Sequence, residues 1–118
     1  MRIVRVDGSG RHASTERIFV GDVETQTIVD VGERDLRLIE VHFERGARNR
    51  LHTHTTDQIL VITDGEGIVA TRAEEREVTA GDVAYIPAGE EHWHGARPGK
   101  DMTHLAINGG TSKTTIIE

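Results

Sequence analysis

The chain has 118 residues, no cysteine and a formal net charge of −6, which fits one domain and leaves out a disulfide frame, a thiolate metal site and a cysteine nucleophile. Acidic residues outnumber basic ones, 20 to 14, and no Lys/Arg-rich run provides an electrostatic footprint for nucleic acid. The start, Met1-Arg2-Ile3-Val4-Arg5-Val6-Asp7, alternates apolar and charged residues, and no stretch approaches the length of a membrane span, so the expected address is the cytoplasm.

In chain order, short runs rich in β-branched residues with period-two alternation predict strands near Ile3–Val6, Arg17–Val20, Thr25–Val31, Leu36–Phe43, Leu51–His54, Gln58–Thr63, Ile68–Ala70, Val83–Ile86, His92–Gly95 and Met102–Asn108. Turn signals fall at Gly46, Asp64-Gly65-Glu66-Gly67, Ala80-Gly81-Asp82, Pro87-Ala88-Gly89 and Arg97-Pro98-Gly99. Gly46, Gly65, Gly81 and Gly89 are expected where the chain needs positive φ. The charged segment Ala73–Thr79 reads as a hairpin tip or edge. The first fifteen residues and the tail after Gly109 read as capable of lying outside the main body. Many short strands and no long amphipathic helix argue for an all-β barrel or sandwich.

The histidines carry the chemistry. His52 and His54 are two residues apart, which on a strand puts both imidazoles on one face; on a helix they would diverge by roughly 200°. A second cluster, His92-Trp93-His94, follows the Pro87-Ala88-Gly89 turn. The spacing reads as a metal site built on strands.

The run from Gly46 through His52-Thr53-His54 and Gln58 to Gly65 resembles the first motif of the cupins, with Gln58 where most members carry Glu. Gly81, Pro87-Ala88-Gly89 and His92 resemble their second motif, with Ala96 in place of the Asn that often ends it. The resemblance covers about residues 36 to 108. It implies a double-stranded β-helix, a small jelly roll spanning residues 1–118 as one domain, in which His52, His54, Gln58 and His92 hold one divalent ion. A narrower resemblance lies in His92-Trp93-His94-Gly95-Ala96 and Met102-Thr103-His104-Leu105-Ala106-Ile107. Together with Gln58 these are similar to small bacterial cupins that include manganese-dependent hydroxynitrile lyases and the cupin relatives of carboxymuconolactone decarboxylases. That likeness implies manganese as the ion and places His94 and His104 in the pocket beside it; iron, nickel or zinc are other expected occupants, since nitrogen-rich sites bind the later first-row ions more tightly.

Three neutral imidazoles and an amide oxygen leave the charge of a divalent ion uncompensated, which makes it a stronger Lewis acid. Without a carboxylate ligand, the proton acceptor must come from elsewhere, and His94 and His104 are the candidates because imidazole exchanges protons near neutral pH. Alternation puts Ile39, Val41 and Phe43 on one face as an apolar wall, and His104, Ala106 and Asn108 on one face of the last long strand. Such a pocket suits a small, largely uncharged organic substrate. His12 and His42 read as solvated, Arg48 and Arg50 as surface charges, and Trp93 as packing between sheets or at an interface. Three functions stay open: a lyase breaking a carbon–carbon bond such as that of a cyanohydrin, a quercetinase-like oxygen-activating enzyme, and a non-catalytic metal or small-ligand module. A homodimer or higher oligomer is expected, with Ile3–Val6 or the tail from Lys113 to Glu118 as a candidate exchanged edge strand.

Overall fold

The computed structural model describes residues 1–118. After a 3-10 turn at Gly8–Gly10 come twelve strands: β1 (His12–Ala13), β2 (Phe19–Val20), β3 (Val23–Asp30), β4 (Leu36–Phe43), β5 (Arg48–Asn49), β6 (His52–His54), β7 (Gln58–Thr71), β8 (Glu75–Thr79), β9 (Val83–Ile86), β10 (His92–Ala96), β11 (Met102–Gly109) and β12 (Thr114–Ile116). One sheet runs β1-β3-β4-β11-β7-β9; the other gathers β8, β10, β5, β2, β6 and β12 around the second half of β7. All pairings are antiparallel. The alternation read from the sequence is used as expected, with Ile39, Val41 and Phe43 turned inward and Gly46, Gly65, Gly81 and Gly89 all at positive φ.

The predicted turn at Asp64-Gly65-Glu66-Gly67 is not a turn. β7 continues through it, pairing with β9 and β11 before it and with β8 and β10 after it. Gly65, at φ 79°, is the corner, and a Cβ there would land on the Asp101 carbonyl. Left-handed strain and that clash add, so Gly65→Ala is expected to lower unfolding stability by about 2 kcal/mol or more in urea denaturation.

Two other expectations fail. Ile3–Val6 forms no strand, and Ile3 is open to solvent at 89 % exposure; the first strand of the chain is His12–Ala13, on the edge of β3. The tail is not outside the body, because Thr114–Ile116 pairs with β6, Thr114 opposite His54 and Ile116 opposite His52. Glu75–Thr79, by contrast, is the edge strand expected of that charged segment.

One apolar cluster joins Val23, Val41, Phe43, Ala47, Ile62, Ala96 and Met102, with Phe19 packed edge-on to Phe43 at 6.0 Å between ring centroids. A smaller one joins Leu60, Ile86 and Ala106. Of the 22 buried residues, nine are polar or charged, a costly interior unless each group finds a partner. Most of them surround one cavity, and that concentration marks the site. On the outside, His12 is exposed as expected, but His42 is half-buried with Nδ1 2.7 Å from the Thr103 hydroxyl. Trp93 does not pack between the sheets: it faces outward under the Arg48 guanidinium, 5.1 Å from its ring. Arg48 is also paired with Glu118, and Arg50 donates to the Arg17 carbonyl. No helix is long and apolar enough to cross a membrane.

Candidate metal centre

β6 supplies His52 and His54, the start of β7 supplies Gln58, and β10 brings His92 directly opposite His52. The three imidazoles converge, with ligand atoms all within 4.8 Å of one another. His52 Nε2 lies 3.1 Å from His54 Nε2, and His92 Nε2 lies 3.2 Å from Gln58 Oε1. Two donors each about 2.1 Å from a shared ion stand about 3.0 Å apart at a right angle and about 3.4 Å apart at the tetrahedral angle. Both observed spacings fall in that window.

The second ring nitrogen of each imidazole is already committed. His52 Nδ1–H donates to the Arg50 carbonyl at 2.6 Å and His92 Nδ1–H to the Glu90 carbonyl at 2.8 Å. A carbonyl can only accept, so both rings carry their proton on Nδ1 and offer the Nε2 lone pair to the centre. His54 Nδ1 is held by the Thr114 hydroxyl at 3.0 Å. Gln58 is oriented in the same way, since its Nε2 donates to Asn108 Oδ1 at 3.1 Å and so turns Oε1 inward. Burial pushes His52 down to about 3 and His54 down to about 4, and lowers His92 too. The rings are therefore neutral at pH 7, the form that binds a metal. This donor set fits one divalent ion.

Replacing an outer partner of a metal-bound histidine generally costs about 10–100-fold in metal affinity. Thr114→Val is expected to weaken divalent-metal binding by that amount without unfolding the protein, as read by competition with a chromophoric chelator. Unchanged affinity would show that the β12 hydroxyl plays no part.

Beside the ligands lies a cavity of about 190 Å³ lined by His52, His54, Gln58, His94, His104 and Asn108, with the expected wall of Ile39, Val41 and Phe43. A cavity of roughly 150 Å³ accepts a benzene ring, so a small aromatic compound fits. His94 and His104 are brought together: His104 Nε2 is 2.9 Å from His94 Nδ1. Burial lowers His94 well below the ordinary imidazole value and His104 to about 4, each reinforced or opposed by its charged neighbours only secondarily.

Asn49 was not legible as a site residue. It is 3 % exposed; its Oδ1 accepts from the His94 backbone N–H at 2.8 Å, and its Nδ2 lies 3.3 and 3.2 Å from the two ring nitrogens of His94. Its charged neighbours Arg48 and Arg50 make the segment look like surface. Thr114 was missed because the tail was expected elsewhere, and no local pattern marks either residue.

A model of the cupin domain matches residues 39–108. The chain is 37 % identical over 109 residues to an (R)-mandelonitrile lyase of Granulicella tundricola, covering 91 % of this chain and 83 % of that protein. It is 33 % identical over 81 residues to a dimethylsulfoniopropionate lyase of Ruegeria pomeroyi, covering 66 % of this chain and 53 % of that protein, so it spans about half of the latter's length. Among solved structures, a cupin-like protein of Thermotoga maritima superposes with a TM-score of 0.82 at 30 % identity, over 89 % of this chain and 83 % of that one. A polyketide cyclase of Streptomyces resistomycificus gives 0.83 at 18 % identity over 99 % and 87 %, a likeness of fold alone. Motif spacing, curled double sheet and converging histidines thus agree with the matched domain over most of its length, and the chain belongs to the cupin family.

Proposed function

We propose that the protein is a metal-dependent lyase that breaks a carbon–carbon bond beside a hydroxyl, with cyanohydrin cleavage as its measurable reaction. The observation that carries this reading is the linked pair His94 and His104, fully enclosed and sharing one cavity with the ligand set. The identity to a mandelonitrile lyase supports it. Bound at His52, His54, Gln58 and His92, a divalent ion, expected to be manganese, supplies Lewis-acid stabilisation where negative charge develops on the substrate oxygen.

The chain's own residues do the rest. Ile39, Val41 and Phe43 hold the organic group against the wall. Asn49 fixes His94 from two sides, and burial keeps that ring neutral and able to accept a proton. His94 takes the hydroxyl proton as the carbon–cyanide bond breaks, the carbonyl compound forms, and the proton is returned to cyanide to give hydrogen cyanide. His104, 2.9 Å behind, shares the charge that His94 gains in between.

The test is release of benzaldehyde from mandelonitrile by manganese-loaded protein. A positioned acid–base group contributes about 10²–10⁴-fold, so His94→Ala that retains its metal should be slower by that factor. Equal rates for the two proteins, at background, would reject both the reaction and the role of His94.

A further inference from the structure

The inward row of β4 does not end with Ile39. Arg37, two residues earlier, continues it, and Arg37, Ile39, Val41 and Phe43 all line the metal-side cavity. In register Arg37 stands opposite Asn108 of β11. The guanidinium is half-buried, and its one hydrogen bond is from Nη2 to the Ser112 carbonyl, long at 3.4 Å. No carboxylate pairs with it, although seven ion pairs are formed elsewhere. Glu16 is the only acidic residue on the cavity wall, and it does not reach Arg37.

The neighbouring groups point the same way. Asn108, which also lines the cavity, has its Oδ1 occupied by Gln58, while its Nδ2 is buried with no acceptor, a donor without the partner that a buried amide ordinarily has. This side of the cavity therefore offers donors and positive charge, with no carboxylate and only the long contact to the Ser112 carbonyl to meet them. Arginine's planar fork matches the two oxygens of a carboxylate.

We infer that the natural substrate is a small hydroxy- or oxo-carboxylic acid whose carboxylate is bound by Arg37, with the Asn108 amide as the second donor. This rests on the reading of the centre as a lyase site and narrows the substrate it takes. Apolar alternation at Ile39, Val41 and Phe43 suggests an uncharged ligand; the fourth member of the row reverses that for one end of the molecule. The organic group lies on the apolar wall and the anionic end at Arg37.

The test is calorimetric titration of manganese-loaded protein with (R)-mandelate and with mandelamide, its neutral counterpart, on wild type, Arg37→Met and Arg37→Lys of equal metal content. A charge-assisted pair of this kind is worth roughly 10- to 100-fold in affinity. Arg37→Met should lose that factor for mandelate and change mandelamide less than about threefold, while Arg37→Lys keeps part of the preference. Three results overturn the inference: no binding of mandelate by wild type, mandelate binding unchanged in Arg37→Met, or equal losses for both ligands. The first two leave the carboxylate unbound or held by the ion alone, and the third describes a damaged cavity. Because binding is read rather than turnover, failure to cleave mandelonitrile would sink the proposed reaction and leave this result standing.

Discussion

His92→Ala is expected to abolish retention of a divalent ion through gel filtration and, with it, all metal-dependent turnover. Two facts set the size of the effect. His92 stands across from His52 in the β6–β10 pairing, and its Nε2 is 3.2 Å from Gln58 Oε1, so its loss removes the donor that joins the β7 ligand to the β6 pair. It is also 1 % exposed, so a void replaces it and no solvent-facing side chain can swing in. The loss should far exceed the roughly 10–100-fold expected for an outer partner such as Thr114. Metal content measured by plasma emission after exhaustive dialysis checks it; stoichiometric metal in His92→Ala would mean that the centre lies elsewhere. Folding should survive, because the apolar clusters around Phe43 and Leu60 do not include this ring.

A second large effect is loss of stability in acid, read on metal-free protein. Burial pushes His104 down to about 4 from an ordinary 6.5. Between those values the unfolded chain binds a proton that the folded chain refuses, so stability is complete above about pH 6.5, falls as the pH drops toward 4 and levels off below. The slope is about 1.4 kcal/mol per pH unit per group, or roughly 3 kcal/mol across the window for this one residue. His52 and His54 act in the same direction. Urea unfolding at pH 7.5 and pH 5, in chelator, should show the drop, and His104→Gln should be less pH-sensitive than wild type by about one group's share. An identical pH dependence in the variant would mean that His104 is protonated as easily in the folded protein as in the unfolded one.

What could be read in the chain follows from the range of each signal. The pair His52 and His54 and the wall of Ile39, Val41 and Phe43 are period-two patterns within single strands, and a strand imposes that period whatever it pairs with; Gln58 and His92 stand on other strands and were read from the spacing of the two motifs. Gly46, Gly81 and Gly89 also act locally. The continuous β7 was hidden because a glycine-rich run is the same string whether it reverses a chain or carries a strand around a corner. Only the approach of the Asp101 carbonyl to Gly65 separates the two. Asn49, Thr114 and Arg37 escaped for a related reason. Asn49 acts on a residue 45 positions away and Thr114 on one 60 positions away, whereas Arg37 looked like an ordinary charged residue at the start of a strand. Its meaning depends on which face β11 covers.

The strand Thr114–Ile116 sits on β6 with its hydroxyl on His54, while Glu118 accepts from the Leu51 backbone N–H and from Arg48. Docking of this segment and occupancy of the centre are therefore two equilibria that share a histidine. If an ion on His54 tightens the segment by some factor, the docked segment must tighten the ion by the same factor, because the two routes around the cycle begin and end in the same states. The last strand is then a reporter as well as a support: how firmly it is held measures how full the centre is.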